Sequence, residues 1–210
     1  MEKNTGMKAL LLLSGGIDSA VAAKLMIDED VELVALHFSL EPFTNNEAAV
    51  KSERIARHLG IKKLYSIACG LAHAKIVKQC NHRYYYIISR RMMLRIAQQM
   101  ARRENCLFLC TGDNLGQVGS QTLSNMDVIS HAVSMPIARP LLTNDKVETI
   151  ALAKKFGTYQ LSIGPEMCSV LGPKNPATRS ELSKIEAQEQ HLDMNMLLEE
   201  QLQSATIISL

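Results

Sequence analysis

The sequence predicts an α/β domain, an open and mostly parallel sheet with helices on both faces. Three observations carry this. Short apolar runs alternate with helical stretches along the chain, beginning with Lys8-Ala9-Leu10-Leu11-Leu12-Leu13. Turn residues punctuate the junctions, as at Ser14-Gly15-Gly16, Gly60, Thr111-Gly112 and Gly157. The length of 210 residues, 47% hydrophobic and 21% charged, suits one such domain with a real core and is too apolar for disorder.

The elements follow in order. The run at 8–13 is apolar throughout, which marks a strand buried on both faces. Helix is expected over 17–28, with Ala20, Val21, Ala23 and Leu25 as packing positions. Residues 31–38 alternate toward a second strand, and Pro42 with two Asn makes 41–46 a loop. A helix over 46–59 stops at Gly60, and 63–67 is a third strand. The longest helical pattern is 84–103, with Ile87, Ile88, Met92, Ile96 and Met100 on one face and Arg91, Arg95 and Arg102 on others. A strand at 106–110, a helix over 117–128, an extended stretch at 134–140 and a helix over 145–156 come next. Three prolines make 164–176 loop, 180–203 reads as one polar helix, and 205–210 as an edge strand. The sequence thus predicts a domain over 1–179 and a helical appendage with an edge strand over 180–210. In open α/β sheets ligands bind beyond the carboxyl ends of the strands, which places residues 14–19, His37-Phe38 and Thr111-Gly112 along one rim.

Several classes are excluded or disfavoured. No apolar run approaches the roughly 20 residues of a membrane span. The first residues are polar and mixed in charge, so no signal peptide and a cytoplasmic location are expected. Five cysteines without framework spacing fit a reducing compartment. Cys106 and Cys110 would lie about 13 Å apart on a strand, too far for one metal ion. No local spacing suggests the three or four convergent thiolates of an iron–sulfur cluster. The net charge of +2 hides an asymmetry: between Arg54 and Arg103 stand twelve Lys/Arg and no Asp or Glu, leaving −10 on the remainder. Such a block predicts a positive face or a phosphate site.

The most informative segment is Leu12-Leu13-Ser14-Gly15-Gly16-Ile17-Asp18-Ser19. Two glycines let backbone approach a ligand, and the following helix offers unpaired N–H groups and its positive end. Ser14 and Ser19 add hydroxyls. No Gly-Lys-Ser/Thr ending is present, so this is not a Walker-A loop, and it is not Gly-x-Gly-x-x-Gly. A carboxylate at Asp18 beside a bound phosphate acts sensibly through a cation, so it is the candidate Mg²⁺ ligand.

Ser-Gly-Gly-x-Asp-Ser after an apolar strand resembles the PP-loop signature. The resemblance implies cleavage of ATP between its α and β phosphates, giving pyrophosphate and an adenylated intermediate. Four further segments narrow it: Val34-Ala35-Leu36-His37-Phe38, the helix from Arg90 to Ala97, Thr111 through Thr122, and Arg139-Pro140-Leu141 with Gly157-Thr158-Tyr159. Together they resemble, from about Lys8 to Arg179, the catalytic domain of the tRNA 4-thiouridine synthetase (ThiI) family. The fold implied is adenine nucleotide alpha hydrolase-like. By position, Leu12, Leu13, His37, Phe38, Arg90, Gly112 and Gln121 fall on nucleotide-contacting positions of that family. Leu13 and Phe38 are expected to sandwich a base, and backbone at 12–13 and 37–38 to read the adenine edge. Gly112 permits close approach, Arg90 supplies charge for phosphate, and Gln121 offers a hydrogen bond. Cys168 falls on the family cysteine of sulfur transfer. A proline-flanked loop suits a reactive thiol, and the other four cysteines read as structural.

Two departures bear on the substrate. Family members usually carry an RNA-binding THUMP region before this domain, and some a rhodanese domain after it; neither is expected in these residues. Ser19-Ala20 stands where the family commonly has proline after the serine, and Gly112-Asp113-Asn114 replaces a more usual Gly-Glu-Ser. The implied activity is an ATP- and Mg²⁺-dependent sulfurtransferase that adenylates a uridine carbonyl oxygen in tRNA; thiamine biosynthesis is a further family association. The expected partners are tRNA held weakly, a persulfide carrier or sulfide as sulfur donor, a separate RNA-binding protein, and a second copy in a homodimer. The alternatives are another PP-loop adenylating or amidating enzyme, or an idle nucleotide-binding subunit of an RNA-modifying complex.

Overall fold

The computed structural model describes residues 6–164 and 170–210. In chain order the elements are β1 (Lys8–Leu12), α1 (Ile17–Asp28), β2 (Glu32–Ser39), α2 (Glu47–His58), β3 (Lys63–Ala68), α3 (Gly70–Gln79) and α4 (Tyr85–Arg103). There follow β4 (Phe108–Cys110), α5 (Leu123–Ser130), β5 (Ile137–Ala138), α6 (Lys146–Lys155), α7 (Tyr159–Ser162), α8 (Leu182–Glu189), α9 (Met194–Gln203) and β6 (Thr206–Ser209). The strands form one sheet in the order β5-β4-β1-β2-β3-β6. All neighbours are parallel except β6, which runs antiparallel to β3 at the edge.

Burial explains why β1 is apolar throughout. Ala9, Leu11 and Leu13 point into a core shared with α1, α2 and α6. Leu10 and Leu12 point the other way, to a core built with α3, α4, α5, α8 and α9. A central parallel strand covered on both faces has no polar side to show. The α4 stripe Ile87, Ile88, Met92, Ile96 and Met100 is buried in that second core as the periodicity predicts.

The structure departs from the sequence reading at several places. The helix expected over 117–128 is a 3-10 turn at Gly119–Gln121 followed by α5, because Thr122 is extended (ψ 154°) and caps α5 by accepting from the Asn125 N–H. The helix expected over 180–203 is broken into α8 and α9, where Asp193 caps the second by accepting from the Met196 N–H. Residues 70–79, for which the sequence offered no element, form α3. Arg91 is 1% exposed rather than off the core. Its guanidinium donates to Glu189 at 2.8 and 3.1 Å and to the Val128 carbonyl at 2.5 Å, which satisfies the buried charge.

Arg91 belongs to a wider correction. Six of the twelve cations between Arg54 and Arg103 have a carboxylate partner: Arg57–Glu53, Lys63–Glu104, Lys75–Glu200, Arg90–Asp113, Arg91–Glu189 and Arg95–Glu189. The block is free of acids in sequence, and all six pairs reach acids outside it, from Glu53 and Glu104 at its edges to Glu200 in α9. Among the described residues no helix is long and apolar enough to cross a membrane.

Candidate active site

The carboxyl ends of β1, β2 and β4 meet along one rim, and the loop from Ser14 to Gly16 joins β1 to α1 there. Gly15 has φ +80°, and a Cβ on it would lie 2.8 Å from the Ala48 carbonyl oxygen of α2. Only glycine fits that turn. Gly16 caps α1 without a side-chain acceptor, so its first-turn N–H groups face the rim without a side-chain partner. The serine hydroxyls shape the loop from within. Ser19 Oγ accepts from the Ser14 N–H at 3.2 Å and donates to the Gly16 carbonyl at 3.1 Å, and Ser14 Oγ accepts from the Gly16 N–H at 3.2 Å. The turn is a preformed anion cradle at the positive end of a helix.

Leu13 and His37 do not face this cradle with their side chains. Leu13 is buried on the α1–α2 side, whereas Phe38 packs on the α4 side, so the expected Leu13–Phe38 sandwich is not formed. Leu12, one residue earlier, shares the sheet face of Phe38 and is partly exposed with it. The period of two in a strand puts neighbours on opposite faces. The His37 ring is buried, with Nδ1 2.9 Å from the Leu13 carbonyl and 2.9 Å from Ser52 Oγ. Burial lowers its pKa, against the Leu13 hydrogen bond and the Glu41 charge. It is a neutral strut that fixes the strand end. The Leu13 N–H bonds the Leu36 carbonyl and the Cys69 N–H bonds the Ser39 carbonyl. Alternation along the strand then aims the Phe38 N–H and C=O toward β1, past the last β1–β2 pair at Leu12 and Leu36.

The β4 end is pressed onto α1. A Cβ on Gly112 would lie 2.6 Å from the Ser19 amide nitrogen and 2.7 Å from the Asp18 carbonyl carbon. The close approach that glycine permits here is backbone on backbone. Asp113 follows, 5% exposed, accepting from Thr111 Oγ1 at 2.8 Å, from Arg139 Nε at 3.3 Å and from Arg90. Burial opposes its ionisation, but the Arg90 charge, the Thr111 hydrogen bond and the Arg139 charge outweigh it and hold the carboxyl below its ordinary value. Arg90 is therefore not an unpaired phosphate-binding cation. It shares a buried carboxylate with Arg139, and the three together keep one net positive charge at the rim. Sequence reasoning missed Asp113 and Arg139 as site residues, because their pairing joins β4, β5 and α4.

Asp18 stands in the first turn of α1 with its side chain 26% exposed, and Lys146 Nζ lies 3.3 and 3.4 Å from its carboxylate oxygens. Lys146 opens α6 and was not singled out by sequence, since nothing local ties it to a loop 128 residues earlier. Among the described residues no group of three or more His, Cys, Asp or Glu could hold a metal ion. Mg²⁺ requires no such cage, because it keeps waters and takes one or two carboxylates plus substrate phosphates. Asp18, beside the cradle, is a carboxylate of that kind. Gln121 is 9% exposed and its Oε1 is buried without a partner, an acceptor left for something else.

Cys69, Cys80, Cys106 and Cys110 are buried free thiols. Burial pushes Cys69 and Cys110 up to about 12, and Cys80 and Cys106 up to about 11. They are inert at neutral pH. Cys168 lies outside the described residues.

The family model "Thiamine biosynthesis protein (ThiI)" matches residues 4–194. The chain belongs to the ThiI family. A relative from Finegoldia magna, named a probable tRNA sulfurtransferase, is 39% identical over 209 residues, covering 97% of this chain and 54% of its own length. A crystal structure of a 4-thiouridine synthetase–RNA complex with bound ATP superposes with a TM-score of 0.92 at 38% identity, covering 97% of this chain and 55% of that one. The NMN synthetase of Francisella tularensis shares the fold alone, with a TM-score of 0.59 at 17% identity, covering 92% of this chain and 84% of its own. The ThiI chain thus spans about half the length of the curated relatives it matches.

Proposed function

We propose that this ThiI chain is an ATP-dependent, AMP- and pyrophosphate-forming domain of a tRNA sulfurtransferase. It activates uridine at its C4 carbonyl oxygen for replacement by sulfur. The observation that carries this is the uncapped first turn of α1 behind the Ser14–Gly16 cradle, in a chain 38% identical to a 4-thiouridine synthetase solved with ATP and RNA.

The residues divide the work. The uncapped N–H groups of the first turn of α1 hold phosphate oxygens, and the same turn adds its dipole. Leu12 and Phe38 flank the adenine on one sheet face, while the Phe38 backbone and the Gln121 amide meet its polar edge. Asp18 would hold Mg²⁺, which supplies charge neutralisation on the phosphates. Lys146, beside Asp18, places a cation where charge develops as pyrophosphate departs. Arg90 acts from within its pair with Asp113. The uridine O4 displaces pyrophosphate from the α phosphorus. A sulfur nucleophile then adds at C4 and AMP leaves with the former O4. By the family resemblance Cys168 carries that sulfur as a persulfide received from a persulfide carrier; its terminal sulfur attacks C4 as AMP leaves, and an external thiol then reduces the Cys168–sulfur bond to release 4-thiouridine. Where sulfide is the donor, it attacks C4 directly. The reading is tested by incubating the protein with labelled ATP, Mg²⁺ and tRNA and resolving the products. AMP and pyrophosphate are expected; ADP and phosphate would overturn it.

A further inference from the structure

We propose that the open cleft between residues 114–117 and 142–146 is a nucleobase subsite, in which the side-chain amide of Gln117 reads a carbonyl oxygen of a pyrimidine. The proposal rests on the function proposed above and locates its second substrate. The cleft has a volume of about 460 Å³ and is walled by Leu115 and Leu142. Its two sides are laced at the base. The Leu115 N–H donates to the Leu142 carbonyl at 2.9 Å, and Asn114 Nδ2 donates to the carbonyls of Leu141, at 2.9 Å, and of Asn144. Lys146 belongs to the cleft and also contacts Asp18, so the cleft adjoins the phosphate cradle.

Its chemistry suits a flat neutral ring better than an anion. Two leucines offer apolar walls for ring faces. Lys146 is the cation of the lining, and Asp145 offsets it, with its carboxylate accepting the Glu148 N–H at 2.7 Å as the cap of α6. Gln117 of the lining also carries an unspent donor: its Nε2 has no hydrogen-bond partner and is buried, so the side chain turns into the cleft to meet an acceptor there. A buried amide left this way carries an uncompensated desolvation cost until an acceptor arrives. Uracil and cytosine share the C2 carbonyl and differ at C4, where uracil brings an oxygen and cytosine an amine, so the oxygen that Gln117 reads is O4. Gln121, whose Oε1 is an unpartnered acceptor, is the complementary group assigned above to the adenine.

The test uses the whole chain labelled with ¹³C at leucine methyls, titrated separately with uridine, cytidine and inorganic pyrophosphate in the presence of ATP. Uridine is expected to move the Leu115 and Leu142 methyls, and cytidine to need at least about tenfold higher concentration for the same shift. Gln117→Leu should erase that preference and leave ATP affinity within about twofold. Gln117→Glu, an acceptor only, should reverse it toward cytidine. The proposal is overturned if uridine moves neither methyl, if uridine and cytidine act alike on the wild type, if pyrophosphate alone moves them, or if Gln117→Leu weakens ATP. Failure of the broader reading would show instead in the ATP products, which this titration does not consult.

Discussion

Replacing Asp113 by Asn removes one negative charge from between two guanidiniums and keeps the side-chain volume. Breaking a buried ion pair from one side costs about 3–5 kcal/mol. Here Arg90 and Arg139, with side chains 29% and 15% exposed, can turn toward water, and Asn still accepts from Thr111. We therefore expect a loss of about 2 kcal/mol at neutral pH. For a chain of this length that lowers Tm by about 4–8 °C. The sign of the pH dependence follows from the lowered carboxyl pKa. The stabilisation is complete above the unfolded value of about 3.9 and is lost as pH falls through the folded value. Urea unfolding of wild type and variant should thus differ by a constant amount from about pH 5 to 8, and the difference should shrink below about pH 4. Asp113→Glu should recover part of the loss, because it restores the charge. A neutral-pH difference under about 0.5 kcal/mol, or one that grows on acidification, would refute the reasoning.

Three further outcomes are expected. Asp18→Asn should reduce AMP formation by about a hundredfold or more while lowering stability by no more than about 1 kcal/mol, since the Lys146 pair is partly exposed; a comparable loss of fold, read by thermal unfolding, would move Asp18 out of the chemistry. Alkylation of the folded protein should label Cys168 first and leave Cys69, Cys80, Cys106 and Cys110 unreacted until denaturation. Cys168→Ser should stop sulfur transfer and spare ATP binding. Affinity for tRNA should fall about tenfold or more between low and physiological salt, because Arg54, Lys62, Lys78, Arg83, Arg102 and Arg103 remain exposed and, among the described residues, without an acidic partner; a flat salt response would contradict it.

The sheet and the cradle were legible because their signals are local. An apolar run, two glycines and a helix start stand in consecutive residues, and β6 announces itself as a short apolar tail. The failures at the site depend on partners distant in sequence. Arg91 looks like a surface cation until Glu189 arrives from α8, and Arg90 looks like an unpaired cation until Asp113 arrives from the end of β4. The side chain of Leu13 does not join Phe38 because a strand alternates faces, and only the packing of α1 and α2 shows which face it takes. His37 was placed correctly at the rim, but its ring turns inward to the Leu13 carbonyl and Ser52, 15 residues further on. The division of 180–203 into two helices hangs on one cap at Asp193, a weak signal inside a polar stretch.

The central claim is that the uridine oxygen is activated by attachment to AMP, and the path of that oxygen tests it most directly. tRNA carrying ¹⁸O at C4 of the target uridine is incubated with the protein, ATP, Mg²⁺ and a sulfur donor, and the AMP is analysed by mass spectrometry. The account predicts one ¹⁸O in the phosphate of AMP for each thiolated uridine. Unlabelled AMP, with the ¹⁸O recovered in water or in inorganic phosphate, would contradict it.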